Sequence, residues 1–158
     1  MRFLAGIVVA ILFITACQSN VSYSEFVSLQ NGWHKDNRIA FDYQPTDTIS
    51  KNNVFIVVRN DEKYPFSNLF LITRMEMPNN EVVVDTLEYE MATPEGKWLG
   101  KGFSAVKESK LWFKENVAFP VKGNYRFEVE QAMRKVGNPD GIVVLEGITE
   151  LGIIIEKQ

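Results

Sequence analysis

From Ser24 onward, apolar and polar residues alternate repeatedly with a period of two, and no stretch long enough for a helix carries an apolar stripe at i, i+3, i+4 and i+7. The clearest case is Leu87-Glu88-Tyr89-Glu90-Met91, which puts Leu87, Tyr89 and Met91 on one face and both glutamates on the other. Gly123 to Met133 repeats the pattern, with Tyr125, Phe127 and Val129 inward and Arg126, Glu128 and Glu130 outward. Asn53 to Arg59 and Leu69 to Met77 are more continuously apolar, as central strands of a sheet packed on another layer should be. Leu151 to Ile155 alternates again.

Turn signals separate these runs: Asn31-Gly32, Gln44-Pro45, Asn60-Asp61, Pro78-Asn79-Asn80, Pro94-Glu95-Gly96, Lys122-Gly123 and Gly137 to Gly141. Roughly eight or nine short strands with regular punctuation predict an all-β fold, an antiparallel β-sandwich, with a jelly roll among the arrangements it allows. Strand order is not readable from the pattern. No internal repeat or interdomain linker breaks the body, so residues 23–158 are expected to form one domain.

The amino end reads differently. Met1-Arg2 is a short positive segment, and Phe3 to Ile14 is an apolar run of twelve residues. That run is too short to span a bilayer but has the length and flanks of a secretory leader. Ile14 stands where an ordinary signal peptidase wants a small residue, whereas Ile14-Thr15-Ala16-Cys17 resembles a lipobox without a mismatch. Residues 1–16 are therefore expected to be a cleaved signal peptide and Cys17 the lipid-attachment residue, with diacylglycerol on its sulfur and an N-acyl chain on the freed amine. Two or more acyl chains, at about 0.8 kcal/mol per buried CH₂, make such anchoring effectively permanent. Residues 17–22 read as the lipidated cysteine and a short polar tether. No Asp follows Cys17, and by resemblance to known sorting signals the expected location is the outer membrane, facing the periplasm.

Composition narrows the rest. Removing 16 of the 158 residues leaves 142, enough for one domain. With 46% hydrophobic and 23% charged residues, the chain has the make-up of an ordinary globular protein. Its net charge of −3 argues against nucleic acid as a partner. One cysteine and one histidine cannot make an intramolecular disulfide, a CxxC pair or a Cys/His zinc cluster.

Few residues suggest catalysis. His34 lies in a turn-like polar segment without a Cys or second His to complete a triad or a metal site. Gly96 to Gly102 resembles a phosphate loop only superficially: it is one residue short, Gly102 replaces the Ser or Thr, and no helix follows. Glu88, Glu90, Glu128 and Glu130 would face one another if their strands pair. That leaves open a solvated face, a weak cation or partner patch, and a glycosidase pair. No catalytic residue and no metal ligand is assigned, and no cofactor beyond the lipid is expected.

Charge is uneven. Glu76 to Glu90 carries five acidic residues, whereas Lys97 to Lys114 carries five lysines against Glu108 alone, interleaved with Trp98, Phe103, Trp112 and Phe113. Positive charge mixed with aromatic area suits protein or glycan contact. The alternative is that the aromatics are core and the lysines guard exposed strands against edge pairing. The candidate partner surface comprises Tyr64, Phe66, Lys97, Trp98, Lys101 and Trp112.

Several longer segments carry a family likeness: Tyr64-Pro65-Phe66-Ser67-Asn68-Leu69-Phe70-Leu71, Asp85 to Ala92, Gly96 to Gly102, Lys114-Glu115-Asn116-Val117 and Phe127 to Arg134. Together with the lipobox they resemble the gliding-motility lipoprotein family GldH, over most of the chain and in order. The resemblance implies an envelope lipoprotein of the Bacteroidota, linked to gliding and to type IX secretion through contacts with other envelope proteins, and no enzyme. It transfers a defined role to Cys17 only. The same lineage implies O-glycosylation at Asp-Ser/Thr-aliphatic sites, which Asp47-Thr48-Ile49 and Asp85-Thr86-Leu87 fit. Thr48, in a turn, is the better expected acceptor, and Thr86 the second. The rival functional reading is an envelope glycan-binding module, which an exposed row of Trp and Tyr would favour.

Overall fold

A computed structural model describes residues 20–158. Ten strands form: β1 (Val21–Ser28), β2 (Trp33–His34), β3 (Ile39–Tyr43), β4 (Asn52–Asn60), β5 (Asn68–Glu76), β6 (Val82–Glu90), β7 (Lys107–Val117), β8 (Tyr125–Gln131), β9 (Val144–Leu145) and β10 (Ile148–Lys157). The all-β expectation holds. β1 starts inside the segment read as tether, because Val21 already pairs with Glu156 across the ladder.

The eight long strands make two four-stranded antiparallel sheets, β1-β10-β4-β7 and β3-β8-β5-β6. Their pairings are nested: β1 with β10, β3 with β8, β4 with β7 and β5 with β6. The chain is thus one long hairpin, folded at the turn over residues 77–81 and rolled until β10 also meets β4 and β8 also meets β5. This is the jelly roll. The two apolar runs, β4 and β5, are indeed interior strands, each flanked on both sides.

Alternation builds the core. Val54, Ile56 and Val58 of β4 and Leu151, Ile153 and Ile155 of β10 point inward against Phe41, Leu69, Leu71, Phe127 and Val129 of the other sheet. Each such side chain contributes roughly 1.5–3 kcal/mol on burial. Phe119 closes one end, its ring edge-on to Tyr125 at 4.9 Å and to Tyr43 at 5.2 Å.

β4 buries its outer face as well. Phe55 lies under Trp112, with ring centroids 4.5 Å apart, and the Lys110 ammonium sits 4.0 Å above the Phe55 ring. Phe26 crosses β10 where a glycine leaves room: a Cβ on Gly152 would come within 2.5 Å of the Phe26 ring. Arg59 then covers Phe26 from 4.8 Å.

Rolling a nested hairpin sorts the loops by end. Residues 44–51, 77–81 and 118–124 share one end with Asn20 and Gln158, the two ends of the described chain, where the Lys157 N–H donates to the Asn20 carbonyl at 2.8 Å. Residues 29–38, 61–67, 91–106 and 132–147 form the opposite end. Eight residues of β1 separate the two ends, about 25 Å at the usual rise per residue.

Candidate interaction surface

Five of the six residues expected to form the partner surface, Tyr64, Phe66, Lys97, Trp98 and Lys101, fall in loops at the end of the sandwich away from Asn20, and Trp112 lies midway along β7. Tyr64 is not part of an exposed face there, which corrects its assignment: it is 2% exposed. The loop after β4 turns inward because the Asp61 carbonyl and carboxylate accept from Tyr64 and Lys63 N–H, and Asp61 N–H donates to the Gly147 carbonyl at 2.8 Å. The Tyr64 hydroxyl donates to the Asn68 carbonyl at 2.6 Å. Phe66 and Trp98, both half-buried, pack on the Tyr64 ring with centroids 5.8 and 6.2 Å away. These three form a small aromatic layer capping the core, with Lys97 exposed beside it.

Lys101 and Trp112 line a second feature, a groove of about 570 Å³ along the outer edge of β7. Phe55, Leu99 and Trp112 supply apolar lining, and Glu90, Lys101, Glu108 and Lys110 bring charge of both signs. Trp112 is 54% and Leu99 51% exposed. Lys101 and Glu108 exchange two backbone hydrogen bonds of 2.8 Å, so the antiparallel alternation turns the backbone groups of Lys110 and Trp112 outward as well. The Trp112 carbonyl accepts from the Tyr89 hydroxyl at 2.6 Å, and Lys114 pairs with Asp85. Both bonds stitch β7 to β6, the edge strand of the other sheet. Burial, and then the nearby Asp85 carboxylate, push the Tyr89 phenol up to about 12.

The four glutamates do not come together. β5 lies between β6 and β8, and Glu88 and Glu90 pair with Phe70 and Asn68 whereas Glu130 and Glu128 pair with Ile72 and Arg74, so the two sets stand more than two strand spacings, upwards of roughly 10 Å, apart. Glu128 receives Arg38 at 3.3 Å and Arg126 at 3.2 Å, Glu130 pairs with Arg38, and Glu88 accepts from the Asn68 amide at 2.8 Å. The arrangement is an ion-paired outer face, not an acid–base pair. His34 is exposed, its Nδ1 accepting from the Asp36 N–H at 3.2 Å. Among the described residues no group of three or more His, Cys, Asp or Glu could hold a metal ion, and no helix is long and apolar enough to cross a membrane.

No row of exposed Trp and Tyr exists among the described residues. Trp33 is buried with its indole N–H on the Asn37 carbonyl at 2.8 Å, Trp98 is half-buried, and Trp112 stands alone. Thr48 is half-buried, whereas Thr86 is exposed on the outer face of β6. Cys17 lies outside the described residues.

One element at the terminal end escaped the pattern analysis. The Asp47 carboxylate clasps its own loop: Oδ1 accepts from the Ile49 and Ser50 N–H at 3.0 Å each, and Oδ2 from the Ser50 hydroxyl at 2.6 Å and the Lys157 ammonium at 2.9 Å. The Ser50 bonds first, then Lys157 and the Ile49 N–H, hold this carboxyl well below the usual carboxylate range. An Asp two residues before the N–H that donates to its carboxylate is the readable signal of such a turn.

Comparison with known proteins matches residues 21–155 to the GldH lipoprotein family. The chain is 48% identical over 147 residues to the gliding motility lipoprotein GldH homolog of Christiangramia forsetii, covering 93% of this chain and 90% of that protein. It is 41% identical over 152 residues to the gliding motility lipoprotein GldH of Flavobacterium johnsoniae, covering 96% and 94%. Among solved structures it is similar to the infectious bursal disease virus VP2 subviral particle at 12% identity, over 85% of this chain and 32% of that one, with a TM-score of 0.39.

Proposed function

The chain belongs to the GldH lipoprotein family, and from that premise we propose that it is a non-catalytic accessory of the gliding and type IX secretion machinery that works by contacting other envelope proteins. Cys17 carries the diacylglycerol thioether and the N-acyl chain, and the protein sits at the outer membrane facing the periplasm. The observation that carries the contact role is the groove beside β7, where Trp112 and Leu99 stay exposed next to Lys101. An exposed tryptophan beside a strand edge whose backbone groups are only partly taken is a usual ingredient of an interface hot spot.

Crosslinked pull-down from native membranes tests this reading. An envelope protein is expected with the unaltered chain, and its recovery is expected to fall with Trp112→Ala and Lys101→Glu. Recovery of no envelope protein sinks the proposal. Deleting the gene should impair surface motility, and an accompanying loss of protein secretion ties the role to the secretion apparatus. An intact mass above that of the lipidated chain would identify a glycan, for which Thr86 is now favoured over Thr48.

A further inference from the structure

The terminal end of the sandwich bears an apolar tip. Ile49 is 86% exposed, yet its loop is not loose, because the four hydrogen bonds to the Asp47 carboxylate fix the turn that holds it. The same bonds tie the tip to the place where the chain enters the domain. Lys157 binds Asp47 through its ammonium and the Asn20 carbonyl through its N–H, and the neighbouring Gln158 N–H donates to the Lys51 carbonyl at 3.0 Å. Ile49 and Asn20 are thus joined through two adjacent residues of one strand end.

Three peptide units separate Asn20 from Cys17, a reach of at most about 11 Å between their Cα atoms. An acylated Cys17 must lie at the lipid surface. The headgroup layer is itself roughly 5–8 Å deep on each side of the bilayer, so the tether leaves little room beneath the domain.

We propose that this end of the sandwich rests on the bilayer, with Ile49 inserted among the lipid headgroups and exposed Lys51 and Lys122 at the level of the phosphates. Glu81 and Glu115 lie at the same end and are exposed, so the contact is driven by the apolar tip and the tether rather than by net positive charge. One isoleucine would not hold a free domain on a membrane. The anchor makes its insertion intramolecular, and a weak contact then suffices. Seated in this way, the groove beside β7 opens near the far end of the molecule, turned away from its own membrane. The proposal rests on acylation of Cys17.

The chain has one cysteine, and acylation consumes its thiol, so Ile49→Cys would carry the only free thiol. Val136→Cys, at a fully exposed position (107%) on the opposite end, is the reference. Full-length lipidated protein, nitroxide-labelled at either position, is reconstituted into vesicles of phosphatidylethanolamine and phosphatidylglycerol, and collisions with oxygen and with a water-soluble nickel complex are read by electron paramagnetic resonance. The label at 49 is expected to be several-fold less accessible to nickel and more accessible to oxygen than the label at 136, at low and high salt alike. Equal accessibility at the two positions, with the acyl chains confirmed by mass, overturns this inference alone. Shielding from both reagents means a second protein copy covers the tip and also overturns it. Absence of acyl mass on Cys17 overturns the anchoring reading together with this one.

Discussion

At the scale of single residues, burial separates two aromatics that look alike in the sequence. Tyr64 and Trp112 both belong to the partner surface expected from the sequence, but only Trp112 faces solvent. Tyr64→Phe deletes a buried hydroxyl that donates to the Asn68 carbonyl and is expected to cost about 1–3 kcal/mol. Trp112→Ala removes a half-exposed ring from Phe55 and should cost only ~1 kcal/mol of stability while reducing partner capture. Denaturant titration of the two variants checks the contrast. Gly147 is the residue that tolerates least: its φ is +79°, and a Cβ there would stand 2.1 Å from the Tyr64 backbone nitrogen. Gly147→Ala is expected to destabilise by more than ~3 kcal/mol, since the atoms in the way are backbone of Lys63 and Tyr64 and the positive φ is itself strained for alanine, and thermal unfolding would show a fall of roughly 10 °C. An unchanged midpoint would refute the packing described for the loop after β4.

At the scale of elements, the seam between β6 and β7 joins the edges of two sheets through a phenol. The Tyr89 hydroxyl donates to a carbonyl, which phenolate cannot do. Because its folded value is raised to about 12 from the ordinary 10.0, its contribution is complete below pH 10 and is lost as pH rises towards 12. Tyr64, raised by burial alone, adds in the same direction. Stability measured by denaturant midpoint should therefore decline between about pH 10 and 12, and Tyr89→Phe should flatten part of that decline. The strands themselves were largely legible. Period-two alternation located β6, β8 and β10, and the near-continuous apolar runs located β4 and β5, because burial on one or both faces writes directly into side-chain choice. β7 was hidden by its own chemistry: its lysines and exposed Trp112 read as a contact patch, although Ser109, Leu111 and Phe113 alternate inward. Strand pairing was not legible at all. That Glu88 and Glu128 are kept apart by β5 depends on long-range register, which no local pattern encodes.

At the scale of the whole molecule, the nested hairpin gives the protein two unlike ends. One carries short turns and both described chain ends; the other carries the long loops, the aromatic layer of Tyr64, Phe66 and Trp98, and the loop leading into the groove. Photocrosslinkers at Phe103 and Val136, both fully exposed at the far end, are expected to capture protein partners in cells, whereas one at Ile49 is expected to capture lipid. The reverse distribution would invert the orientation. The sequence contained the ingredients of this polarity, the lipobox at one extreme and the basic aromatic segment in the middle, but not the topology that sets them on opposite sides.

The central place of β10 has a consequence in time. It is the last strand along the chain, yet it lies between β1 and β4 and bonds to both. Synthesis runs from the amino end, so β1 has no neighbour in its sheet until Ile148–Lys157 has been made. Assembly of this sheet cannot proceed strand by strand; it waits for its final segment, and such distant pairing is slow. During that wait the edge of β1 and one edge of β4 both lack the strand that covers them in the folded sheet, and any holding factor that masks them must yield both to β10.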